Sequence, residues 1–205
     1  MPYRSSDKTR QKKDAKRTAM MQAAVQVFAE KGYHAATIRD IVKQAGVAIG
    51  TFYFYFPDKE TLFVHLYEET AEFILHTIRQ AVNSRSVFSK QVTAALQAYA
   101  NIAVYEPAIV QLLLVGGIGA VPSLNSKRIA FRQQLAATWQ RPITAVIENG
   151  QAPPQNAQRT AEAFIGAIDE VILNLINCPD PEEEAAAAIQ ELVNLLLRMV
   201  GYSGH

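Results

Sequence analysis

The chain has 205 residues, 49% of them apolar, which suits one small and one medium-sized domain with a sizeable core. Its net charge is only +1, but residues 1–60 carry 11 Lys and Arg against 6 Asp and Glu, whereas residues 61–205 carry 9 against 13. A basic first part joined to an acidic remainder indicates that the first part meets phosphates.

Three features bear on the compartment. The single cysteine, Cys178, excludes an internal disulfide framework and is typical of a reducing compartment. The charged N-terminal stretch is unlike a signal peptide. Residues 107–126 are uncharged, but Gln111, Pro122 and three glycines interrupt them, so they fall short of the ~18 continuous apolar residues of a membrane span. We therefore expect a cytoplasmic protein that does not contact a membrane.

The first predicted elements are a basic arm and a helix. Residues 1–13 are basic and polar, and we expect a flexible arm there. From Asp14 the apolar residues recur at helical spacing, and Gly32 is expected to stop this helix. Residues 14–60 are therefore predicted to contain the first of the two domains.

Two short helices and a long one follow. Thr37 is a predicted N-cap for the helix Ile38–Ala45, a turn at Gly46 follows, and a second short helix covers Ile49–Tyr55. Asp58 is a predicted N-cap for a long helix over residues 59–84. That helix carries two apolar stripes, one of which includes Leu62, Leu66 and Phe73 and the other Phe63, Tyr67, Ile74 and Ile78. A helix with two apolar stripes is expected to bridge both parts of the chain.

The remaining pattern is also helical, which predicts an all-α fold. Helices are expected at about residues 87–105, 107–115, 123–148, 156–177 and 181–200, with Pro and Gly between them. Pro142 lies inside one of them and is expected to kink it. No strand alternation and no internal repeat is present.

The two short helices are the most informative segment. Two helices about a Gly-containing turn form the geometry that places a second helix in the DNA major groove, and an ordinary helical hairpin is the alternative. The second helix favours DNA because it is rich in aromatic residues, carries no charge and has Gly50 near its start. A helix that faces bases and phosphates can use the hydroxyls of Thr and Tyr instead of charges.

One ordered set of residues between positions 17 and 66 carries a family resemblance. The set comprises residues 23–24, 28–33, 37–41, 45–47, 50–53, 55–57, 59–60 and Leu62. In this set the sequence resembles the TetR family of bacterial transcriptional regulators. The C-terminal two thirds resemble the family only in helical character and length.

The resemblance implies a set of DNA contacts, formed by Thr37, Arg39, Ile49, Gly50, Thr51, Tyr53, Tyr55 and Lys59. The recognition helix would enter the groove at residues 49–51, with Arg39 on a base or phosphate and the Thr37, tyrosine and lysine side chains on phosphates. The implied core of this domain comprises Phe28, Ile38, Ile41, Val47, Phe52, Phe56 and Leu62. The sequence departs from the family at Ala48, where Ser or Thr often caps the recognition helix, a loss of typically ~1 kcal/mol. The basic arm is expected to lie along the DNA backbone or in a minor groove.

The resemblance also favours a homodimer, because so small a unit reads few base pairs alone. Apolar stripes on the last two helices would form a four-helix bundle with a second copy, through Phe164, Val171, Leu175, Ile189, Leu192, Leu196 and Met199. The alternative is that both stripes face the core of their own chain.

Residues 61–205 are thus expected to form a larger helical ligand-binding and dimerisation domain. The interior candidates for a pocket are Tyr99, Ile102, Tyr105, Phe131, Leu135, Trp139, Phe164 and Ile168, with Asn101, Gln111, Arg132 and Asp169 as possible polar partners. Any single apolar residue of this set is more often core than ligand contact. A pocket of this composition favours a lipophilic ligand that is aromatic or bears an acyl group.

These observations predict a repressor that a lipophilic ligand releases from a palindromic DNA operator. A ligand-independent architectural or assembly-controlling DNA-binding protein of the same fold is the first alternative. An enzyme is the second: His65, Glu69, Glu72 and His76 lie at tolerable metal-ligand spacing, but a solvated face of paired charges is the simpler interpretation. We expect no enzymatic activity, no cofactor and no metal.

Overall fold

The computed structural model describes residues 7–204, and side chains from residue 15 onward. This part of the chain forms nine helices and no strand, so the predicted all-α fold is confirmed. The helices are α1 Asp7–Ala35, α2 Ile38–Ala45, α3 Ile49–Tyr55, α4 Lys59–Asn83, α5 Phe88–Tyr105, α6 Pro107–Leu114, α7 Leu124–Glu148, α8 Ala157–Asn177 and α9 Pro181–Val200. None of the described helices is long and apolar enough to cross a membrane.

The first helix begins earlier than expected. It starts at Asp7 rather than near Asp14, so the expected flexible arm is helical from Asp7 onward, while residues 1–6 lie outside the described residues. The stretch is rich in Lys, Arg and Gln, which are good helix formers and need no buried face to continue a helix. Gly32 interrupts α1 with φ 71° and ψ 166°, at the predicted stop.

Helices α1, α2 and α3 form a unit that we call the head, and its core matches the prediction. Phe28, Ile41, Phe52 and Phe56 are buried there, together with Leu62 from the start of α4. The predicted core members Ile38 and Val47 are partly buried against them. Gly46 ends α2 with φ 65°, a left-handed conformation that favours glycine and turns the chain into α3.

The long helix α4 leaves the head and enters the rest of the chain, which we call the body (α4–α9). It packs against α1 of the head and against α5 and α7 of the body, so it contacts both parts as predicted. Phe73 differs from the prediction, because it is half exposed and shares its face with exposed Glu69 and His76. In the described chain α7 runs without interruption through Pro142.

The body is built around α5 and α8. Helix α5 packs on α4 and α9, and α8 packs on α7 and α9. The rings of Trp139 on α7 and Phe164 on α8 lie 5.7 Å apart at the centre of this arrangement, and both are fully buried. Helix α6 contacts α1, α4, α5 and α8, so it lies between the head and the body.

Candidate DNA interface and ligand clefts

Helix α3 presents large apolar side chains to solvent. Ile49, Tyr53 and Phe54 are exposed, and Phe54 keeps 65% of its surface accessible. On the opposite side Phe52 is completely buried, which fixes the helix on the head. Exposed apolar residues grouped on one short uncharged helix mark a surface that receives a partner.

The two short helices are capped differently. The Thr37 hydroxyl accepts from the Asp40 backbone N–H (3.1 Å), and the Asp40 carboxylate accepts from the Thr37 backbone N–H (3.0 Å), which is a capping box. A hydrogen bond from Lys31 (2.8 Å), then the bonds from Thr37, hold the pKa of Asp40 at about 2. Ala48, at the start of α3, makes no side-chain cap bond, as its residue type implies.

The remaining predicted DNA-contact residues surround α3. Arg39 is exposed on α2 and makes no hydrogen bond or ion pair with the described residues. Gly50 is exposed, and a Cβ added there would meet nothing within 4 Å. Thr51 and Tyr55 are partly buried, with the Tyr55 ring against that of Phe54 (4.9 Å). Gly50, Thr51 and Tyr55 therefore lie on the same helix as the exposed apolar group, and Arg39 lies on the preceding helix.

Lys59 is placed differently from the prediction of a phosphate contact. Its Nζ donates to the backbone carbonyls of Tyr33 (2.6 Å), Ala36 (2.8 Å) and His34 (3.4 Å), and it lies 4.4 Å from the centre of the Tyr33 ring. Partial burial lowers the pKa of Lys59. An ammonium group has three donors, and carbonyls take all of them here. The structure thus gives Lys59 a positioning role that ties the start of α4 to the end of α1.

The head and the body also meet at the glycine-rich connection between α6 and α7. Phe63 of α4 packs edge-on against Phe28 (4.8 Å) and Tyr33 (5.0 Å) of α1. Gly117 lies over the same ring with φ 68°, and a Cβ there would come within 2.6 Å of Phe63 Cε1. Only a glycine fits this approach, so Gly117 packs closely on the ring through which α4 contacts α1.

Seven of the eight predicted pocket residues are buried in the body. They are Tyr99, Ile102, Phe131, Leu135, Trp139, Phe164 and Ile168. Tyr105 corrects the prediction: it is 70% exposed and lines a surface groove between α5 and α9. It is the last residue of α5. Asn101 lines the same groove, and Gln111 is partly buried.

Two clefts lie on either side of the rings of Tyr67 and Phe131, which line both. The larger, of about 430 Å³, runs between α4 and α7, and its further lining is mostly charged or polar: Glu68, Glu72, His76, Arg79, Lys127 and Gln134, with Ala71, Leu75 and Ala130. The smaller, of about 200 Å³, lies among α4, α6, α7 and α8 and is lined further by Leu113, Leu114, Arg128, Arg132, Gly166, Asp169, Glu170 and Leu173. Phe131 is the member of the predicted apolar pocket set that lines these clefts.

Charged and phenolic groups surround the smaller cleft. Arg132 forms an ion pair with Asp169, which connects α7 to α8. Burial raises the pKa of Asp169, although the Arg132 charge acts in the opposite direction. Burial also raises the pKa of the Tyr67 phenol to about 12. The predicted polar partners Arg132 and Asp169 therefore meet at a cleft, and Tyr67, which the sequence assigned to an apolar stripe, lies there with them.

Most of the predicted dimer residues belong to the chain's own core. Phe164, Leu175, Ile189, Leu192 and Leu196 are buried within the single chain, because this stripe of α9 faces α5 and α8. Val171 is partly buried, and Met199 is exposed. The outer side of α9 instead carries the exposed pair Leu195 and Met199.

The histidine and glutamate face of α4 shows no metal-like arrangement. In the part of the chain that the structure describes, no three His, Cys, Asp or Glu side chains are grouped as ligands of a metal ion. Glu69 instead pairs with Arg17 of α1 at 2.8 Å. The face is thus a further link between α1 and α4.

Known proteins resemble the chain in sequence. Residues 20–66, from within α1 to the first turns of α4, match the family model of bacterial regulatory proteins of the TetR family. A fatty acid metabolism regulator protein of Bacillus subtilis is 30% identical over 83 residues, which cover 40% of this chain and 43% of that relative. The chain thus matches less than half the length of this relative. An uncharacterized HTH-type regulator of the same organism, YdgC, is 26% identical over 191 residues, which cover 88% of this chain and 90% of that protein.

Solved structures share the whole fold. The transcriptional regulator FadR from Bacillus subtilis, solved in complex with stearoyl-CoA, has a TM-score of 0.77 at 21% identity and covers 92% of this chain and 99% of its own. The fatty acid degradation regulator FadR from Bacillus halodurans has a TM-score of 0.80 at 23% identity and covers 91% of this chain and 97% of its own. The match to the family model lies on the head and the start of α4, and the structural match extends over the body. Residues 20–66 thus match the TetR family of bacterial regulatory proteins, and the fold of the described chain is shared with these solved regulators.

Proposed function

We propose that this protein is a sequence-specific DNA-binding transcriptional regulator that uses α3 as its recognition helix. The observation that carries the proposal is the uncharged α3, which exposes Ile49, Tyr53 and Phe54 within the segment that matches the family model. A helix of this kind fits the major groove, where apolar side chains contact thymine methyl groups and hydroxyls reach phosphates.

The proposed DNA contacts follow from exposure around α3. Arg39 supplies the charged contact to a base or phosphate, since no described residue neutralises it. Gly50 lets the backbone approach the groove closely, and Thr51 is the neighbouring hydroxyl. Thr37, Tyr53 and Tyr55 contact phosphates, and Lys59 holds the end of α1 in place for them.

A second copy of the chain completes the DNA site. One head presents a single short helix, and two heads at a fixed spacing read a palindromic site. We propose that the two copies meet through the outer faces of α8 and α9, where Leu195 and Met199 are exposed. This arrangement keeps the predicted four-helix bundle but replaces most of the residues predicted to form it.

The effector is proposed to be a lipophilic compound with an acyl group, and it releases the repressor from DNA. The relatives support this class, because one is a fatty acid metabolism regulator and another was solved with stearoyl-CoA. The clefts beside Tyr67 and Phe131 support a binding place in the body. For release, the effector must bind the non-DNA-binding arrangement more tightly than the DNA-binding one.

A selection of genome fragments with the purified protein, sequenced at two salt concentrations, tests the proposal. We expect one enriched palindromic site, bound more weakly at the higher salt because phosphate contacts release counterions. An Arg39→Gln protein is the matched variant and should lose affinity or base preference at that site while keeping its fold. Recovery of no enriched sequence would contradict sequence-specific regulation.

The ligand-independent alternative has one observation in its favour. Most predicted pocket residues form a packed core, with Trp139 and Phe164 in direct contact. Adding decanoyl-CoA or decanoate to the protein on its selected DNA site separates the two functions. Release of the DNA supports the ligand-responsive repressor, and unchanged binding over the whole concentration range supports the alternative.

A further inference from the structure

A further cleft, which we call the distal cleft, lies where α4 ends, at the opposite end of that helix from the head. Its volume is about 450 Å³, within the ~300–1,000 Å³ of usual small-molecule sites. Its walls come from the end of α4, the start of α5, the second half of α7, and two residues outside the helices, Gln151 and Tyr202. It shares no lining residue with the two clefts beside Tyr67 and Phe131.

The distal cleft differs from those clefts in its charge. Arg141 is its one charged lining residue, and no Asp or Glu lines it. The two clefts beside Phe131 and the groove between α5 and α9 each carry at least one carboxylate, as Glu68, Asp169 and Glu182 show. A cleft that presents a guanidinium group and no carboxylate favours an anion over a cation.

The guanidinium group of Arg141 is not used within the described chain. Arg141 is exposed and makes no hydrogen bond or ion pair with residues 15–204. Glu148 lies with it along another face of α7, but the two side chains do not pair. A second arginine lies next to the lining, since Arg79 Nε donates to the hydroxyl of the lining residue Thr138 at 3.3 Å. Arg141 is therefore available to an anion in a positively charged surrounding.

Uncharged donors in the lining also lack a partner. Those whose side chains make no hydrogen bond to any described residue are Asn83, Ser86, Asn149 and Tyr202. They come from the end of α4, the connection to α5, the end of α7 and the segment after α9, yet they line one cleft. Amide and hydroxyl donors around one guanidinium group suit a ligand that is rich in oxygen as well as negatively charged.

The segment after α9 is held in place as one wall of the distal cleft. The backbone N–H and the hydroxyl of Ser203 donate to the Gln151 carbonyl at 2.9 Å and 3.1 Å. The Tyr202 ring packs on the buried ring of Phe88, with ring centres 5.3 Å apart. The Tyr202 hydroxyl is thus fixed beside the cleft before any ligand binds, which lowers the entropic cost of binding.

Helix α7 adds a backbone acceptor to the opposite wall. Proline has no backbone N–H, so Pro142 cannot donate to the carbonyl of Thr138, one turn earlier in the helix. Both residues line the distal cleft. A carbonyl that lacks its helix donor, between two lining residues, is an acceptor for a ligand hydroxyl.

We propose that the distal cleft binds a small polyhydroxylated anion, a sugar acid or a sugar phosphate. Arg141 pairs with the carboxylate or phosphate, the side chains of Asn83, Asn149 and Tyr202 donate to its other oxygens, and the Thr138 carbonyl accepts from a hydroxyl. This ligand is a second one, because the acyl effector was assigned to the clefts beside Tyr67.

Calorimetric titration of the full chain with four linear six-carbon polyols tests this assignment. Gluconate carries a carboxylate, sorbitol 6-phosphate a phosphate ester, N-methylglucamine an ammonium group, and sorbitol no charge. The two anions thus present the same oxygen-rich charge from different sources. We expect one or both anions to bind, and sorbitol and N-methylglucamine to bind at least about tenfold more weakly, because they lack the charge that Arg141 recognises.

Two variants test single contacts of the ligand. Arg141→Gln keeps donors but removes the charge, so it should weaken anion binding about tenfold, to the level of sorbitol. Arg159→Gln is the matched control and should bind like the parent protein, because Arg159 is also exposed but does not line the distal cleft. Tyr202→Phe keeps the ring on Phe88 and removes only the hydroxyl, so it should weaken anion binding about threefold to tenfold.

Pro142→Ala separates ligand binding from folding. Alanine restores the N–H that donates to the Thr138 carbonyl and is a better helix former, so the variant should melt at the same temperature as the parent or higher. The carbonyl is then occupied within the helix, and anion affinity should fall about threefold to tenfold.

Three results would overturn the assignment. They are no binding of either anion to the parent protein, binding of sorbitol or N-methylglucamine as tightly as the anions, and unchanged anion affinity in the Arg141→Gln protein. Operator binding by the same preparations separates these failures from failure of the proposed function. If the operator is bound, the regulator stands and only the distal site is wrong.

Discussion

The head and the body differ in which side chains they expose and which they bury. The head exposes aromatic and aliphatic side chains on α3, such as Tyr53 and Phe54, whereas the body buries the aromatic rings of Tyr67 and Tyr99. Apolar groups ordinarily lie inside a protein, so the exposed group on α3 is the exception and indicates a surface that receives a partner. The body instead has clefts, which Tyr67 and Phe131 line.

The comparison shows why the two regions carry such different sequence signals. The surface of the head depends on a few residues adjacent in the chain, which a short motif can specify. The cleft in the body is assembled from four helices, and its residues lie between positions 67 and 173. Many combinations of residues can build such a cleft, so no short motif identifies it.

The largest expected effect concerns α9, the helix of the body that exposes apolar residues as α3 does in the head. Leu192→Ala should lower the free energy of unfolding by about 2–5 kcal/mol, because Leu192 is fully buried. Leu195→Ala, three residues along and 42% exposed, should change it by less than about 0.5 kcal/mol. Chemical denaturation at a protein concentration at which the chain is monomeric measures both.

The same helix tests the proposed contact between copies. Leu195→Glu should convert the dimer into monomers without unfolding them, since it places a charge on the outer face only. Sedimentation velocity measures the change, and circular dichroism checks that the helices persist. A dimer that survives both Leu195→Glu and Met199→Glu would exclude this face as the interface.

A smaller effect is expected where the head is tied to α4. Lys59→Met keeps the aliphatic stem but removes the charged donor to three carbonyls, so the head should lose about 2 kcal/mol of stability. DNA affinity should fall, while the slope of affinity against salt stays as in the parent. Arg39→Gln is the contrasting variant: its stability should be unchanged, and its salt slope should fall by about 0.9 if Arg39 meets a phosphate. A flatter slope for Lys59→Met would restore the phosphate contact predicted from sequence.

The junction between head and body is expected to respond to one added methyl group. Gly117→Ala adds a Cβ that would lie 2.6 Å from the Phe63 ring, on a backbone with φ 68°, and should destabilise the chain by about 1–3 kcal/mol. Gly119→Ala is the matched control, because it has φ 73° and nothing within 4 Å. The difference between their melting temperatures measures the contact with Phe63 apart from the backbone strain. Equal changes in melting temperature for the two variants would mean that Gly117 makes no close contact with Phe63.

The smallest expected effect is a pH dependence confined to the head. Hydrogen bonds from Lys31 and Thr37 hold the pKa of Asp40 at about 2, below its ordinary value of 3.8. A carboxyl group whose pKa is lower in the folded state stabilises the fold above its unfolded pKa, and this contribution is lost as the pH falls from about 4 to about 2. Acid unfolding followed by NMR signals of α2 should therefore show a steeper loss in the parent than in Asp40→Asn. Identical curves would show that the capping box is not maintained in solution.

Local sequence signals predicted the helices well. Thr37 and Asp58 mark helix starts, Gly46 marks the end of α2, and Pro181 begins α9, because capping and left-handed turns depend on a few neighbouring residues. The same locality made the head recognisable as a helix-turn-helix. The prediction from apolar periodicity missed the first turns of α1, which begins at Asp7, because a run of good helix formers extends the helix there without any apolar pattern.

Tertiary structure decided which neighbour each apolar helix face packs against. The periodicity of α9 is the same whether its stripe packs on α5 and α8 or on a second chain, so Leu192 could not be assigned from spacing alone. The carbonyls that hold Lys59 come from α1, more than twenty residues earlier in the chain.

The sequence by itself therefore determined the nine helices' approximate positions, the identity of the head and the chemistry of α3, because those depend on interactions between near neighbours in the chain. Only tertiary packing decided where the clefts of the body lie, which tyrosine lines them and which leucines remain outside. Those outcomes depend on residues that are distant in the chain and come together only in the fold. Hydrophobic periodicity indicates that a side chain is buried, but not which residues it packs against.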